Sequence, residues 1–498
     1  MEFNQKKPAF KWLWITVTAI FCVLFTFAII PGVAAQGTGD SPQAQRQNYA
    51  NLMQNVFNFI LQNYVEEVDP KTVFEGAMTG MFGSLDDPYS TYMTESEMSD
   101  MGDTTQGSFG GVGLNIIQSV GSRPDGKPRY VEVVSPIEDT PGWRAGINPG
   151  DFIKEIDGIL TDTLTIDEVL GILRGTPGES VKLVIKRGEK MEFPVTIVRA
   201  VIEVPTVKHA MIGDTGYLKL LTFTPWTAQR SRDAINEFKS KNYKSLILDL
   251  RNNYGGRLDS AVEISNLFLD GGLVVRIRSR IPYENRDFNA NRTTHVPENI
   301  PVVILINRGS ASASEIVAGA LKDRGRAYLV GENTFGKGSV QQVFPLNKAG
   351  FKITTARYFT PSDVNIDKVG IPPDREISLP EYTEEDAIHL NQLINDNKIP
   401  VFVEKNPQAT AAQVEAFARS LANEYELDLL LLKRLVRNEL NRTTFAPVYD
   451  LEYDIQLQEA VKILRSGLYN DLMKNFKTLK ALQDEKEKEE ADSLAYAG

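Results

Sequence analysis

The spacing of hydrophobic and polar positions changes repeatedly along the chain. An uncharged run from Trp12 to Ile30 comes first. Leu52, Val56, Phe59 and Ile60 then recur at helical spacing between Tyr49 and Tyr64, and a second helical pattern follows Asp69-Pro70 from Lys71 to Phe82. From Gln106 to Arg199 the period shortens to β-type runs broken by glycine turns: Val112 to Ile117, Tyr130 to Val134, Phe152 to Ile156, Val181 to Ile185 and Phe193 to Val198, with one helical stretch at Thr165 to Leu173. Beyond Val201, apolar runs at Ser245 to Leu250 and Val302 to Ile306 alternate with helical patterns at Pro225 to Lys239, Asp259 to Leu269 and Ala313 to Lys322. After Pro380 helical periodicity dominates, as in Val414 to Tyr425 and Leu427 to Leu440. The chain then reaches the charged stretch Asp484 to Glu490, which reads as a solvated helix or a frayed tail.

These changes predict a multidomain α+β protein. Its expected parts are an export segment (1–35), a linker rich in Gly, Ser, Pro and Gln (36–48), a small helical region (49–103), a β domain (104–200), an α/β body (201–379) and a C-terminal helical region with a charged tail (380–498). A length of 498 residues suits about three domains at about 150 residues each.

Composition removes several functional classes. The net charge of −11 leaves no basic stripe to neutralise phosphates, so nucleic acid is not an expected partner. The single cysteine, Cys22, lies inside the first apolar run, which excludes thiolate catalysis, disulfides and cysteine zinc sites from the rest of the chain. Three scattered histidines, His209, His295 and His389, form no H-E-x-x-H pattern, and no metal site is expected. Lys6, Lys7 and Lys11 precede the uncharged run, and Val33-Ala34-Ala35 ends a small-residue stretch. This order of parts is that of an export signal. The run is long enough to approach a bilayer span, so both a cleaved signal and a retained anchor stay open.

Three segments carry candidate chemistry. Ile304 to Ala320 runs from a β-branched stretch through Gly309 and small residues into helical periodicity. Ser312 thus falls at a strand-to-helix junction, where unpaired amides and the helix dipole favour negative charge. Ser310 and Ser314 read as capping or packing residues. In Thr334-Phe335-Gly336-Lys337-Gly338-Ser339-Val340-Gln341, Lys337 stands between two glycines, which spacing alone reads as a solvated turn. A serine hydrolase nevertheless needs a base, and histidine is scarce. Burial lets lysine serve, at about 4 kcal/mol of differential solvation to bring it from its usual value of about 10.4 towards neutrality. Leu248-Asp249-Leu250-Arg251-Asn252-Asn253-Tyr254-Gly255-Gly256 ends an apolar run in a polar turn and a glycine pair. On its own it is a strand-end turn, though glycines there also let an amide approach a substrate carbonyl.

Gly110-Gly111-Val112-Gly113-Leu114 and Ala145-Gly146-Ile147-Asn148-Pro149-Gly150-Asp151 resemble a PDZ domain in the circular arrangement common in bacterial proteases. The resemblance implies uptake of a peptide C-terminus by strand addition, with the terminal carboxylate held on the amides of Gly111, Val112, Gly113 and Leu114.

With Asp86-Asp87-Pro88-Tyr89-Ser90-Thr91-Tyr92 and Gly370-Ile371-Pro372-Pro373-Asp374, the three chemical segments resemble the carboxyl-terminal processing peptidases, also called tail-specific proteases, over about Tyr49 to Ser378. That resemblance implies a crotonase-like α/β protease core and a serine endopeptidase without metal or organic cofactor. It makes Ser312 the nucleophile and Lys337 the general base, with Gln341 orienting the lysine and Glu315 as a supporting polar residue. It also assigns the oxyanion hole to the amides of Gly256 and Ala313. Tyr254 stands where many relatives have Pro, Ser or Gly. Arg174, in Leu173-Arg174-Gly175-Thr176-Pro177-Gly178, resembles an arginine that couples the PDZ domain to the protease, and reads equally as a surface turn.

The expected partners are proteins or peptides with accessible C-termini, and the membrane if the first segment is retained, with homo-oligomerisation open. The expected location is the periplasm or the outer face of a bacterial inner membrane. The rival expectation is a non-catalytic PDZ-bearing scaffold built on a protease-like core. Hydrolysis of small esters is disfavoured because no G-x-S-x-G sits on a strand-turn-helix.

Overall fold

Ser245–Asp249 and Val302–Ile306 are buried at every position, as strands covered on both faces must be. The computed structural model describes residues 41–118, 129–188, 190–378, 380, 382–442 and 447–497, with side chains to 488. In it these two strands are central to a sheet ordered Val207–Ile212, Thr215–Leu220, Ser245–Asp249, Val302–Ile306, Tyr328–Gly331 and Arg375–Glu376. The first pair is antiparallel and the others are parallel. Helices Thr227–Ser240, Leu258–Asn266 and Ala313–Asp323 cover one face, where Ile235, Phe238, Ile264, Val317 and Leu321 pack with Leu218, Leu246, Leu248 and Ile304. Burying side chains of this size contributes about 1.5–3 kcal/mol each.

The opposite face is covered by the C-terminal part of the chain. Leu457, Ala460, Val461 and Leu464 repeat at helical spacing along Ile455–Arg465 and pack with Tyr217, Ile247, Val303, Leu305 and Val330. The expected C-terminal region therefore divides. Helices Glu384–Asn395, Lys398–Lys405, Ala411–Tyr425 and Leu429–Leu440 form a separate core around Leu393, Ala418, Leu421, Leu432 and Val436, whereas Ile455–Arg465 completes the central sheet. The charged tail falls in helix Leu479–Ala497.

A second sheet is built around the long strand Ala349–Phe359, which pairs with Ser339–Leu346, Thr91–Met93 and Gly272–Ser279. The β domain is a third sheet, in the order Leu114–Ile117, Val131–Pro136, Phe152–Ile156, Ser180–Arg187 and Met191–Val198, flanked by helix Ile166–Leu173. Ser108–Gly111 pairs with Ala200–Glu203, so the chain enters and leaves this domain side by side. The single strand expected over Val112 to Ile117 is broken at Val112-Gly113. Gly113 takes φ +78°, and a methyl there would stand 2.3 Å from Thr140 Cβ.

The chain divides into two units between Met81 and Phe82. In the first, helix Pro42–Asn63 starts inside the stretch expected as a linker. Ser41 caps it, accepting the Ala44 amide at 3.3 Å, and Pro42 occupies the first turn, where proline needs no donor. The Trp12 to Ile30 run lies outside the described residues. No described helix is long and apolar enough to cross a membrane.

Candidate active site

The two central strands end in facing turns, at the carboxyl edge where parallel sheets place ligands. One turn leads into helix Ala313–Asp323, and Ser312 stands at its start with φ 55° and ψ −112°. A serine held at positive φ is strained, and the neighbouring contacts show what holds it. Ser310 Oγ donates to Leu250 O at 2.9 Å and Ser314 Oγ donates to Asn253 O at 2.8 Å. The Ala311 amide also reaches Asn253 O, at 3.0 Å. Two of the three serine hydroxyls are thus spent on tying the Ser312 turn to the facing turn, and that of Ser312 is not spent on either carbonyl.

The facing turn, Leu250 to Gly256, presents the glycine pair. Asn253 Oδ1 takes the Gly255 amide at 2.9 Å, while its Nδ2 donates to Leu220 O at 2.9 Å. A methyl at Gly255 would stand 2.8 Å from Ser312 Cβ and 2.9 Å from Ala313 N, so only glycine admits this approach. Among the described residues the amides of Gly256 and Ala313 donate to no protein acceptor, which leaves both for a ligand oxygen. Tyr254 is 80% exposed, and its side chain does not disturb the turn.

Lys337 follows strand Tyr328–Gly331 in a loop clamped by Glu315. The fully buried Glu315 carboxylate accepts Thr334 Oγ1 at 2.6 Å and the amides of Gly336 at 2.7 Å, Lys337 at 2.9 Å and Ser312 at 2.8 Å. Burial pushes this carboxyl above the ordinary glutamate value, while the four donors favour its anion and match its four acceptor positions. The Tyr358 hydroxyl lies between the carbonyl oxygens of Lys337 and Ser312, 3.2 Å from the latter.

The Lys337 amine is half-buried and lies 4.8 Å from the centroid of the Tyr89 ring. Burial lowers its pKa below that of an ordinary lysine, and Lys352 adds repulsion. Glu315 and Asp87 act in the opposite sense. Burial also works against the Asp87 carboxylate, yet Ser90, Thr354, the Tyr89 amide and Lys337 together hold it below the usual range. Among the described residues no hydrogen bond joins Lys337 Nζ to Ser312 Oγ. The main chains of the two residues are held in common by Glu315 and Tyr358.

Gln341 is not brought into a hydrogen bond with the lysine. A bulge in the pairing of Ser339–Leu346 with Ala349–Phe359 falls between Val340 and Gln341, and the Gln341 amide donates to Ser339 Oγ at 3.0 Å and Thr354 Oγ1 at 3.1 Å.

In the β domain, Phe109, Val112, Gly113, Leu114, Leu170 and Leu173 line a groove of about 290 Å³ between Leu114–Ile117 and helix Ile166–Leu173. The strand break leaves the Val112 and Gly113 amides without a protein acceptor among the described residues, whereas their carbonyls bind the amides of Gly142 and Ile137. Gly111 lies just before the break, paired with Ala200. Arg174 borders the groove, 2.7 Å from Asp100 Oδ1, with its guanidinium 5.2 Å from the Phe109 ring centroid.

Tyr358, Asn253 and Thr334 play structural parts at this site that the sequence did not single out. Asn253 alone carried a local signal, as a short polar side chain two residues before a glycine that needs its amide bound.

Residues 214–377 match the model for peptidase family S41, residues 132–187 that for the PDZ domain, and residues 32–97 that for the activating protease CtpB N-terminal domain. The carboxy-terminal-processing protease of Bartonella bacilliformis is 40% identical over 332 residues, covering 66% of this chain and 74% of that protein. The carboxy-terminal processing protease CtpA of Bacillus subtilis is 32% identical over 380 residues, covering 74% of this chain and 77% of that protein. Among solved structures, the photosystem II D1 C-terminal processing protease shares 30% identity at a TM-score of 0.40, covering 66% of this chain and 87% of that one.

Proposed function

Because the chain belongs to the carboxy-terminal processing proteases of peptidase family S41, and is therefore a serine-type peptidase acting on protein or peptide substrates, we propose that Ser312 is its nucleophile and Lys337 its general base. The observation that carries this reading is the shared clamp: one buried carboxylate, Glu315, holds the amides of both residues. The lysine side chain leaves the Tyr89 ring, and its neutral amine takes the Ser312 proton as Oγ attacks the scissile carbonyl. The tetrahedral oxygen is received by the amides of Gly256 and Ala313. Lys337 then gives the proton to the leaving amine, and the same base activates the water that hydrolyses the acyl-enzyme.

Substrate tails enter the PDZ groove, with the terminal carboxylate on the free amides of Val112 and Gly113 and apolar side chains against Leu114, Leu170 and Leu173. Arg174, poised between Asp100 and the groove wall, couples tail binding to the core. Gln341 acts on the base indirectly, by holding Thr354, a partner of Asp87. The run of parallel strands with interleaved helices supports a crotonase-like description of the core. The basic flank and uncharged run at Lys6 to Ile30 support export to the periplasm or retention on the outer face of the inner membrane.

The test is cleavage of a loosely folded protein with an apolar C-terminus by the wild type, Ser312→Ala and Lys337→Ala. Both variants lose cleavage. Near wild-type cleavage by either one refutes the assignment, and a wild type without activity favours the non-catalytic scaffold.

A further inference from the structure

Behind the oxyanion turn lies a buried charged cluster that the reaction as described does not use. Asp249, fully buried at the end of strand Ser245–Asp249, accepts Tyr217 Oη at 2.6 Å. It also accepts the Arg251 amide at 2.9 Å, Arg251 Nε at 3.0 Å and Arg251 Nη2 at 2.7 Å. The outer side of the same guanidinium meets a residue 203 positions along the chain: Nη1 and Nη2 donate to Asp454 Oδ1 and Oδ2 at 2.7 and 2.6 Å, a two-point pairing. Gln456 Oε1 accepts a further bond from Nη1 at 3.0 Å. Burial disfavours the charge on Arg251, and Asp249 and Asp454 more than offset it.

Asp454 is also the N-cap of helix Ile455–Arg465, accepting the Leu457 amide at 2.9 Å. One carboxylate therefore joins the helix covering the back of the sheet to Arg251, near the start of the turn that ends in Gly256. From Arg251 the chain continues through Asn252, held at φ 57° with its amide on Asn307 Oδ1, and Asn253, whose side chain fixes the Gly255 amide. Arg251 is the anchor of this turn on the side away from the nucleophile. A planar guanidinium gripped on two edges is held in one orientation.

We propose that Asp454 is a positioning residue for catalysis: acting through Arg251, it sets the oxyanion turn, so that the C-terminal helix Ile455–Arg465 is a working part of the active centre. This rests on the reading of Ser312 as the nucleophile and Gly256 as an oxyanion donor. Asp454→Asn keeps the cap, since asparagine caps helices as well as aspartate does, but gives up the charge and half of the two-point grip. The full-length variant is compared with the wild type and Ser312→Ala for kcat and KM on an unstructured protein substrate, for melting temperature, and for affinity towards a peptide boronate, whose serine adduct places an oxygen in the oxyanion hole. The expected result is a folded variant with KM within about twofold of the wild type, and kcat and boronate affinity both lower by about tenfold or more, the scale of a small misplacement of catalytic groups. A folded Asp454→Asn with wild-type kcat, or with its loss confined to KM, overturns the proposal. Cleavage retained by Ser312→Ala overturns instead the reading on which it rests. If Asp454→Asn does not fold, Gln456→Met, which removes the other outer contact of Arg251, must lower kcat while leaving KM in place, and a wild-type kcat there is equally fatal.

Discussion

Ser312 and Lys337 are tied to a single carboxylate oxygen: Glu315 Oε2 accepts their main-chain amides at 2.8 and 2.9 Å. The strand-to-helix turn and the loop after the next strand are thereby held as one unit, although 25 positions separate the two residues in the numbering. Tyr358 completes the clamp from the second sheet, with its hydroxyl against the carbonyls of the same two residues.

Tyr358→Phe removes that hydroxyl without changing shape. It leaves buried carbonyls short of a donor, at a cost of about 1–3 kcal/mol. The enzyme should remain folded while kcat falls by about one to two orders of magnitude and KM stays close to the wild type, because the hydroxyl positions reacting groups and touches no substrate. Steady-state kinetics checks this, and an unchanged kcat would remove Tyr358 from the clamp.

The acid limb of activity reports the base. As the proposed base, Lys337 would have to be neutral to accept a proton, so kcat/KM should rise with pH through its pKa, which burial and then Lys352 lower below the ordinary lysine value. Lys352→Met removes the repulsive charge, raises the Lys337 pKa and moves the acid limb to higher pH. A pH profile of kcat/KM checks the direction. A limb that stays in place, or moves to lower pH, contradicts the assignment of that limb to Lys337.

In the groove, Gly113→Val forces a β-branched residue to φ +78° and drives its side chain into Thr140. KM for a tail-bearing protein should rise about tenfold, equivalent to about 1.4 kcal/mol of binding, with a smaller effect on kcat. Arg174→Ala, by contrast, should change the ratio of tail-stimulated to basal rate. Isothermal titration with a C-terminal peptide separates the two effects, and a folded Gly113→Val with wild-type peptide affinity would place tail binding elsewhere.

Much of the core was legible because its signals are local. Val302–Ile306 and Phe152–Ile156 stand where their apolar runs were read, and helix Ala313–Asp323 begins directly after the serine that the small-residue break marked. What stayed hidden depends on distant partners. Tyr358 looks like any residue of a β-run until the second sheet folds it against the lysine loop. Asp454 reads as an ordinary helix cap until the helix is seated on the back of the sheet. Gln341, beside the Val340/Gln341 bulge, donates to Ser339 and Thr354, and no spacing rule along one strand anticipates a bulge set by its partner. The break at Val112-Gly113 is of the same kind. It is imposed by Thr140 and the amides that bind the two carbonyls, yet it supplies the free amides that a tail carboxylate needs.

The most direct measurement is mass-spectrometric mapping of a fluorophosphonate probe on the wild type and on Lys337→Ala at equal concentration and pH. The account predicts a single adduct on Ser312 in the wild type and its near-complete loss in the folded lysine variant. Labelling at another residue, or undiminished labelling of Ser312 without Lys337, would contradict it.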